Sequence, residues 1–285
     1  MDQAIKDAIE YLLCITIERV SSVTGGDISR AYLLESDSER FFCKVNSSPN
    51  ALALFQAEKV GLEALSKAMA TPRVFLCEAM DEGAFLVMEY IPSKPANALD
   101  IQVFGRQLAA LHAPVPDRHC GFSSDNFIGS LPQSNTVHDL WADFFVQERL
   151  LPQMRIARDA QYLNPLEVPP ETKLMNVCEN LLPYGAPCLL HGDLWSGNYL
   201  ISDQHRPVLI DPAVYYGHHE MDLAMTRLFG GFSAPFYAAY HEVLPKAPGM
   251  EARLELYQLY YLLVHLNLFG KTYHSSVRNI INHYF

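Results

Sequence analysis

The chain has 285 residues, 49% of them hydrophobic, with 32 acidic against 21 basic side chains and a formal net charge of −11 at pH 7. That length and apolar content supports a two-lobed domain or two modest domains with a sizeable core, and excludes a disordered chain. The acidic balance offers no broad basic surface for nucleic-acid phosphates or anionic lipid, so neither a nucleic acid nor a membrane is expected as a partner.

Residues 3 to 15 read as a short amphipathic helix. Its charged positions give the amino terminus, "MDQAIKDAIEYLLCITI", none of the layout of a signal peptide. "ERVSSVTGGDISRAYLLES" follows as strand, Gly25-Gly26 turn and strand, and "ERFFCKVN" as a third strand. In "NALALFQAEKVGLEALSKAM" Leu52, Phe55, Leu62 and Leu65 share one helical face, and Pro72 ends the helix. "RVFLCEA" and "AFLVMEYI" are two further strands around a "MDEG" turn.

After "PSKPANALD" the composition shifts to helical patterns, over about 97 to 112, 138 to 162, 170 to 182, 218 to 229, 233 to 243 and 251 to 272. The boundary falls near residue 92, giving a β-rich lobe over 1–91 and a helical lobe over 92–285. Two irregular stretches interrupt the helices: "APVPDRHCGFSSDNFIGSLPQSN" and residues 187 to 217. The most apolar late stretch, "LYQLYYLLVHLNLF", is too short and too interrupted by polar residues to span a bilayer. The six cysteines (Cys14, Cys43, Cys77, Cys120, Cys178 and Cys188) form no C-x-x-C pair and read as reduced thiols of a cytoplasmic protein.

The chemistry concentrates in "HGDLWSGN", His191 to Asn198, between the apolar runs "CLL" and "YLI", with "PVLIDPA" close behind. A carboxylate at Asp193 can accept a hydroxyl proton; the amide oxygen of Asn198 and the strand-end carboxylate of Asp211 can hold one hard cation. This donor set suits Mg²⁺-nucleotide chemistry, in which the protein mainly positions the nucleophile and γ-phosphate and neutralises charge. Asp193 precedes Asn198 by five positions, the spacing of the H-R-D-x-x-x-x-N loop of protein kinases, and Asp211 stands where their D-F-G aspartate follows. A lone Asp-Gly loop would be read as turn chemistry; three correctly spaced groups between strand patterns favour catalysis.

The upstream half supplies the remaining parts in kinase order. Gly25 and Gly26 could bring backbone N–H groups to phosphates, although the same pair serves a plain hairpin. Lys44, alternating with apolar neighbours on the third strand, would face the nucleotide and touch its phosphates. Glu58 borders the apolar face of the next helix and is the preferred partner of Lys44; Glu63, about 140° further round, competes. The backbone at Glu89 and Ile91 would hydrogen-bond adenine. The "GHHE" of His218, His219 and Glu220 reads as helix-start packing rather than a metal site.

These parts together resemble the aminoglycoside phosphotransferase and choline kinase superfamily. "FQAEKVGLEAL", "GFSSDNFIGSLPQ", "WADFFVQERLLPQ", "HGDLWSGN" and "DPAVYYGHHEMDLAMTRLFGGF" are similar, more narrowly, to the fructosamine kinase family. The resemblance implies an α+β, two-lobed, protein-kinase-like fold, ATP and Mg²⁺ as cofactors, and phosphorylation of the sugar O3 of a ketosamine, free or on a protein lysine, as a deglycation step. In its terms Asp193 takes the O3 proton, Asn198 and Asp211 hold Mg²⁺, Lys44 and Glu58 position ATP, and Trp195 backs the sugar. The "WADFF" helix would lie beside the acceptor, making Trp141 a second substrate contact, although its spacing with Phe144 and Phe145 equally suits a core residue. "GGDIS" departs from relatives that carry a third Gly or a Cys at that turn, placing the acid Asp27 there. A kinase for another alcohol (aminoglycoside, choline or sugar) is the alternative, and a non-catalytic nucleotide-binding protein the third reading.

Overall fold

The computed structural model describes residues 1–23 and 29–285; Gly25, Gly26 and Asp27 of the expected phosphate turn lie outside the described residues. The chain divides into two compact units, Met1–Pro95 with Leu200–Asp211, and Ala96–Tyr199 with Pro212–Phe285.

In the first unit helix α1 (Gln3–Leu13) starts where the Asp2 carboxylate accepts the Ala4 N–H, and ends at Cys14 in a left-handed conformation. A five-stranded antiparallel sheet follows, built from β1 (Arg19–Val23), β2 (Arg30–Glu35), β3 (Arg40–Asn46), β4 (Val74–Ala79) and β5 (Ala84–Glu89) in the order β1-β2-β3-β5-β4. Alternation along β3 decides what each sheet face meets. Phe41, Cys43 and Val45 pack with Ile5 and Ile9 of α1, while Phe42 faces the cluster of Ala51 and Phe55 on helix α2 (Ala51–Leu65). Lys44 belongs to the second face, with Leu86 opposite it on β5.

In the second unit helix α3 (Ala98–Leu111) opens with a reciprocal Asn97–Asp100 capping box. A hairpin of β6 (Asn126–Ile128) and β7 (Leu131–Gln133) forms inside the stretch expected to be irregular, because its polar residues are buried and paired. Gln133 donates to Asn126 Oδ1 at 2.7 Å, and Asn126 donates to the Val214 carbonyl at 2.7 Å.

The helix expected over 138 to 162 is divided into α4 (Trp141–Phe144), a π-helical turn (Phe145–Leu150) and α5 (Leu151–Asp159). Pro152 has no N–H for the Glu148 carbonyl four residues back, and Arg149 Nη1 donates to that oxygen at 3.0 Å instead.

Helix α6 (Glu171–Leu181) leads to β8 (Cys188–Leu190), after which β9 (Tyr199–Ile201) and β10 (Pro207–Leu209) pair as a two-stranded ribbon. Bonds from Lys94 N–H to Ile201 O, Asp203 N–H to Pro92 O and Leu209 N–H to Ala70 O join Leu200–Asp211 to the first unit. Back in the second unit, β11 (Tyr215–Gly217) pairs with β8. Helices α7 (Glu220–Leu228), α8 (Ala234–Val243), α9 (Met250–Phe269) and α10 (His274–Tyr284) complete it. Gly105 of α3 sits against α8, where a Cβ would lie 2.4 Å from the Phe236 carbonyl oxygen. The sequence reading did not anticipate α10, whose buried Val277, Ile280 and Ile281 form a narrow stripe among polar residues. Among the described residues no helix is long and apolar enough to cross a membrane.

Buried within this unit, Glu220 receives two bonds from Arg253, Nε to Oε2 and Nη2 to Oε1, both 2.7 Å. Arg253→Met would strand a carboxylate that has no exposed surface, and should destabilise the protein by about 3–5 kcal/mol. Adding Glu220→Leu should restore much of that loss. Urea unfolding of both variants reads this out; a loss below about 1 kcal/mol in the single variant would class the pair with weak surface bridges.

Candidate active site

In the second unit, the loop His191–Asn198 leaves β8 through Gly192, whose φ is +84° and where a Cβ would stand 2.0 Å from the Ala213 carbonyl oxygen. Only glycine fits that approach. The loop is held from behind by Asp222, which has no exposed surface. Its carboxylate accepts the N–H of His191 at 2.7 Å and of Gly192 at 2.9 Å, and His112 Nε2–H at 3.1 Å. Burial alone would raise the Asp222 pKa, but His112, His191 and the Gly192 N–H outweigh it and hold the carboxyl below its ordinary range. Tyr261 OH donates to Gly192 O at 3.2 Å, and Ala213 N–H to His191 O at 2.9 Å.

Asp193 follows, partly exposed, with its N–H on His191 Nδ1 at 3.2 Å. Asn198 reaches back, its Nδ2 donating to the Asp193 carbonyl at 2.8 Å and to Asp193 Oδ2 at 3.2 Å. With the amide nitrogen engaged, the amide oxygen is the Asn198 atom suited to a cation. Trp195 is 40% exposed, with its indole lying over Gly197, where a Cβ would come within 2.3 Å of the ring.

In the first unit, Lys44 Nζ donates to Glu58 Oε1 at 2.7 Å and also to Asp211 Oδ1. Burial would lower the Lys44 pKa, but Asp211 and Glu58 hold it above its ordinary value; burial pushes the Glu58 carboxyl up against the pull of Lys44. Glu58 is 7% exposed, whereas Glu63 is on the exposed face of α2. The partner of Lys44 is therefore Glu58. Asp211 has φ +53°, uncommon for a residue with a Cβ and a backbone strain of the kind that gathers at functional sites. At the end of β5, where the sequence reading expected the adenine contact, the Glu89 N–H is engaged with Arg73 O at 2.8 Å, and Ile91 follows beyond the strand.

Lys44, Glu58 and Asp211 thus meet within the first unit, and Asp193, Trp195 and Asn198 lie on one loop of the second. The expectation for Trp141 as a substrate contact is corrected. It is 5% exposed, its Nε1–H donates to Tyr257 OH at 2.8 Å, and it stacks on Phe144 at 5.6 Å, which makes it a packing residue. The sequence reading missed the supporting role of Asp222 and His112. The available signal was an acid inside the buried run "MDLAM" and a histidine closing the apolar "LAAL". His218, His219 and Glu220 present ligand atoms within 4.8 Å of one another, but Glu220 is already taken by both bonds from Arg253.

The fructosamine kinase family model matches residues 1–285. A probable ketoamine kinase of Synechocystis is 40% identical over 270 residues, spanning 93% of this chain and 90% of its own. The chloroplastic protein-ribulosamine 3-kinase of Arabidopsis thaliana is 39% identical over 275 residues, spanning 94% and 83%. A Haemophilus somnus structure named for fructosamine-3-kinase superposes with a TM-score of 0.88 at 25% identity, covering 99% of this chain and 96% of that one. The aminoglycoside phosphotransferase APH(4)-Ia shares the fold at a TM-score of 0.63 and 15% identity, over 98% of each chain. The chain belongs to the fructosamine kinase family and has its kinase-like fold.

Asp222→Asn removes the charge that gathers three donors. It should lower kcat by about 10–100-fold, with a smaller change in KM for ATP, because the loop loses charge-assisted bonds of about 1.5–3 kcal/mol each. Steady-state kinetics on the folded variant is the check; an unchanged kcat would make Asp222 a stability residue only. Lys44→Ala and Glu58→Ala should each impair ATP use, and the double variant should lose less than the sum, since the two act as a unit. Additive losses in the double-mutant cycle would contradict the pairing.

Proposed function

We propose that the protein is an ATP-dependent, Mg²⁺-requiring kinase that phosphorylates the sugar O3 of a ketosamine, either a small molecule or the adduct on a protein lysine. The observation that carries the reading is the grip of Asn198 on Asp193, on a glycine-turned loop pinned by Asp222. It orients one carboxylate beside one amide oxygen. The relatives named ketoamine kinase and ribulosamine 3-kinase support the acceptor class.

The residues fit the cofactors. Asn198 and Asp211 offer the oxygen donors a hard divalent cation prefers. Bound Mg²⁺ would neutralise charge on the phosphate oxygens of ATP. Lys44, braced by Glu58, contacts the α- and β-phosphates, and the backbone of Glu89 and Ile91 serves adenine. The Asp193 carboxylate accepts the O3 proton as the O3 lone pair attacks the γ-phosphorus, and the bond to the β-phosphate oxygen breaks to release ADP. Loss of a proton from C1 of the ketosamine gives an enaminol in which the C3 phosphate is allylic, so phosphate is expelled, and hydrolysis of the imine left at C1 frees the amine. This gives the reaction its use in deglycation.

The choice of acceptor rests on Trp195. A ketosamine has one amine and a compact polyol that the exposed indole can back, whereas an aminoglycoside carries several ammonium groups and needs a broadly acidic surface.

Asp193→Asn should cut kcat by about 10²–10⁴ with ATP affinity largely retained; near-normal turnover by a folded variant would remove Asp193 from the role. Asp211→Ala and Asn198→Ala should weaken Mg²⁺-nucleotide binding along with turnover, measured by Mg²⁺ titration of the rate. The substrate reading is tested by kcat/KM across ribulosamine- and fructosamine-type adducts, aminoglycosides and choline. Ketosamines should lead, and Trp195→Ala should raise the acceptor KM more than the ATP KM. A preference for either other class overturns the acceptor and leaves the kinase.

A further inference from the structure

Helix α9 runs outward from the catalytic loop along one face. Tyr261 touches Gly192, next to Asp193. His265 and Phe269 follow at i+4 and i+8, about 6 and 12 Å further along the axis. Around them lies an aromatic cluster that the phosphoryl-transfer groups do not use. Phe229 is 4.4 Å from His265 between ring centroids, Tyr273 is 5.3 Å and Phe269 5.4 Å from it. Phe229 is 38% and Phe269 51% exposed. Soluble proteins seldom leave such side chains grouped at the surface without a ligand to cover them. The cluster also returns to the catalytic loop from the other side. Two residues after Phe229, Gly231 lies so close to Ser196 that a Cβ there would meet the Ser196 Cβ at 2.4 Å. The segment that follows Phe229 therefore borders the loop at Ser196, and the buried Tyr261, four residues before His265, meets it at Gly192.

In a ketosamine four bonds separate O3 from the amine nitrogen, a reach of about 5 Å when extended. With O3 at Asp193, the amine and whatever it carries lie on the far side of the sugar, away from that carboxylate. The amine is a cation at neutral pH, which aromatic faces attract. His265 does not oppose it: its Nδ1–H donates to the Tyr261 carbonyl at 2.8 Å, which leaves Nε2 with the lone pair, and burial holds its pKa below the ordinary value. The four rings bring no cation of their own, Lys271 standing two positions before Tyr273 on the same short helix, and their faces suit an ammonium bearing an apolar group.

We propose that Phe229, His265, Phe269 and Tyr273 form a subsite for the nitrogen substituent of the ketosamine, selecting a protonated amine that carries an apolar or aromatic group. This rests on the ketosamine reading above and adds to it the part of the acceptor on the far side of the sugar.

The test compares two ribulosamine-type substrates, N-methyl and N-benzyl, with wild-type protein, Phe229→Ala and the milder Phe269→Leu. Wild-type kcat/KM should favour the benzyl substrate by about 5–10-fold, mostly through KM. Each variant should reduce that ratio towards one. A wild-type ratio near one, or variants that lose equally on both substrates, would overturn the subsite. Binding of the unreactive probe N-benzylmethylamine, followed by saturation-transfer NMR, separates this proposal from the function it rests on. If no ketosamine is turned over but the probe binds wild type and not Phe229→Ala, the acceptor reading fails and the subsite stands. If the probe binds both proteins alike, or neither, the subsite fails whatever the turnover.

Discussion

One buried carboxylate governs the loop His191–Asn198. Asp222 sits on α7, remote in sequence from His191, and collects two successive backbone N–H groups and a histidine N–H. Because a carboxylate only accepts, His112 must carry its proton on Nε2, and its Nδ1 then faces Tyr240 OH at 2.8 Å. The chain from Tyr240 through His112 to Asp222 fixes the direction in which the loop leaves β8. The loop in turn sets the carboxylate of Asp193 and the amide of Asn198. A buried charge is costly unless every lone pair has a donor, which is why the support is a network and not a single bond.

The same requirement shapes the first unit in another way. Lys44 lies on a strand whose other face is wholly apolar, so its ammonium depends on carboxylates reached from α2 and from the end of the Leu200–Asp211 segment. Alternation along β3 turns it towards α2, and helical spacing places Glu58 on the buried face with Phe55 and Leu62. Neither feature alone specifies the pair. Strand period and helix period must agree on the same space, and at Lys44 they do.

Much of this was legible in the sequence. The order of strands and helices in the first unit, the Asp193, Asn198 and Asp211 spacing, and the choice of Glu58 over Glu63 all follow from periodicity and from residue chemistry. Two of the misreadings share a cause, dependence on residues distant in sequence. Asp222 looked like a first-turn acid of a helix, and only the approach of His191 and Gly192 makes it an anchor. Trp141 had the spacing of both a core residue and a ligand contact, and the partner that decides, Tyr257, is 116 positions away. The β6–β7 hairpin was hidden because its strands are three residues long and hold together through buried amides rather than an apolar alternation.

Arg149 shows how far the support of the loop extends. It has no exposed surface, and its guanidinium lies between the rings of Phe144 and Tyr215, 4.4 and 4.0 Å from their centroids. Its nitrogens donate to the carbonyls of Ser134 and Glu148 and to Asn135 Oδ1. The π-helical turn that accompanies Pro152 carries Arg149 to this position. Tyr215, held flat by the guanidinium, has its Cε1 3.3 Å from where a Gly192 Cβ would stand. Gly192 is thus enclosed by Ala213 and Tyr215, and tied by its own N–H to Asp222 and by its carbonyl to Tyr261. A proline inside a helix and a glycine that turns a loop are two ends of one packing constraint, which keeps the residue before Asp193 in a conformation only glycine adopts readily.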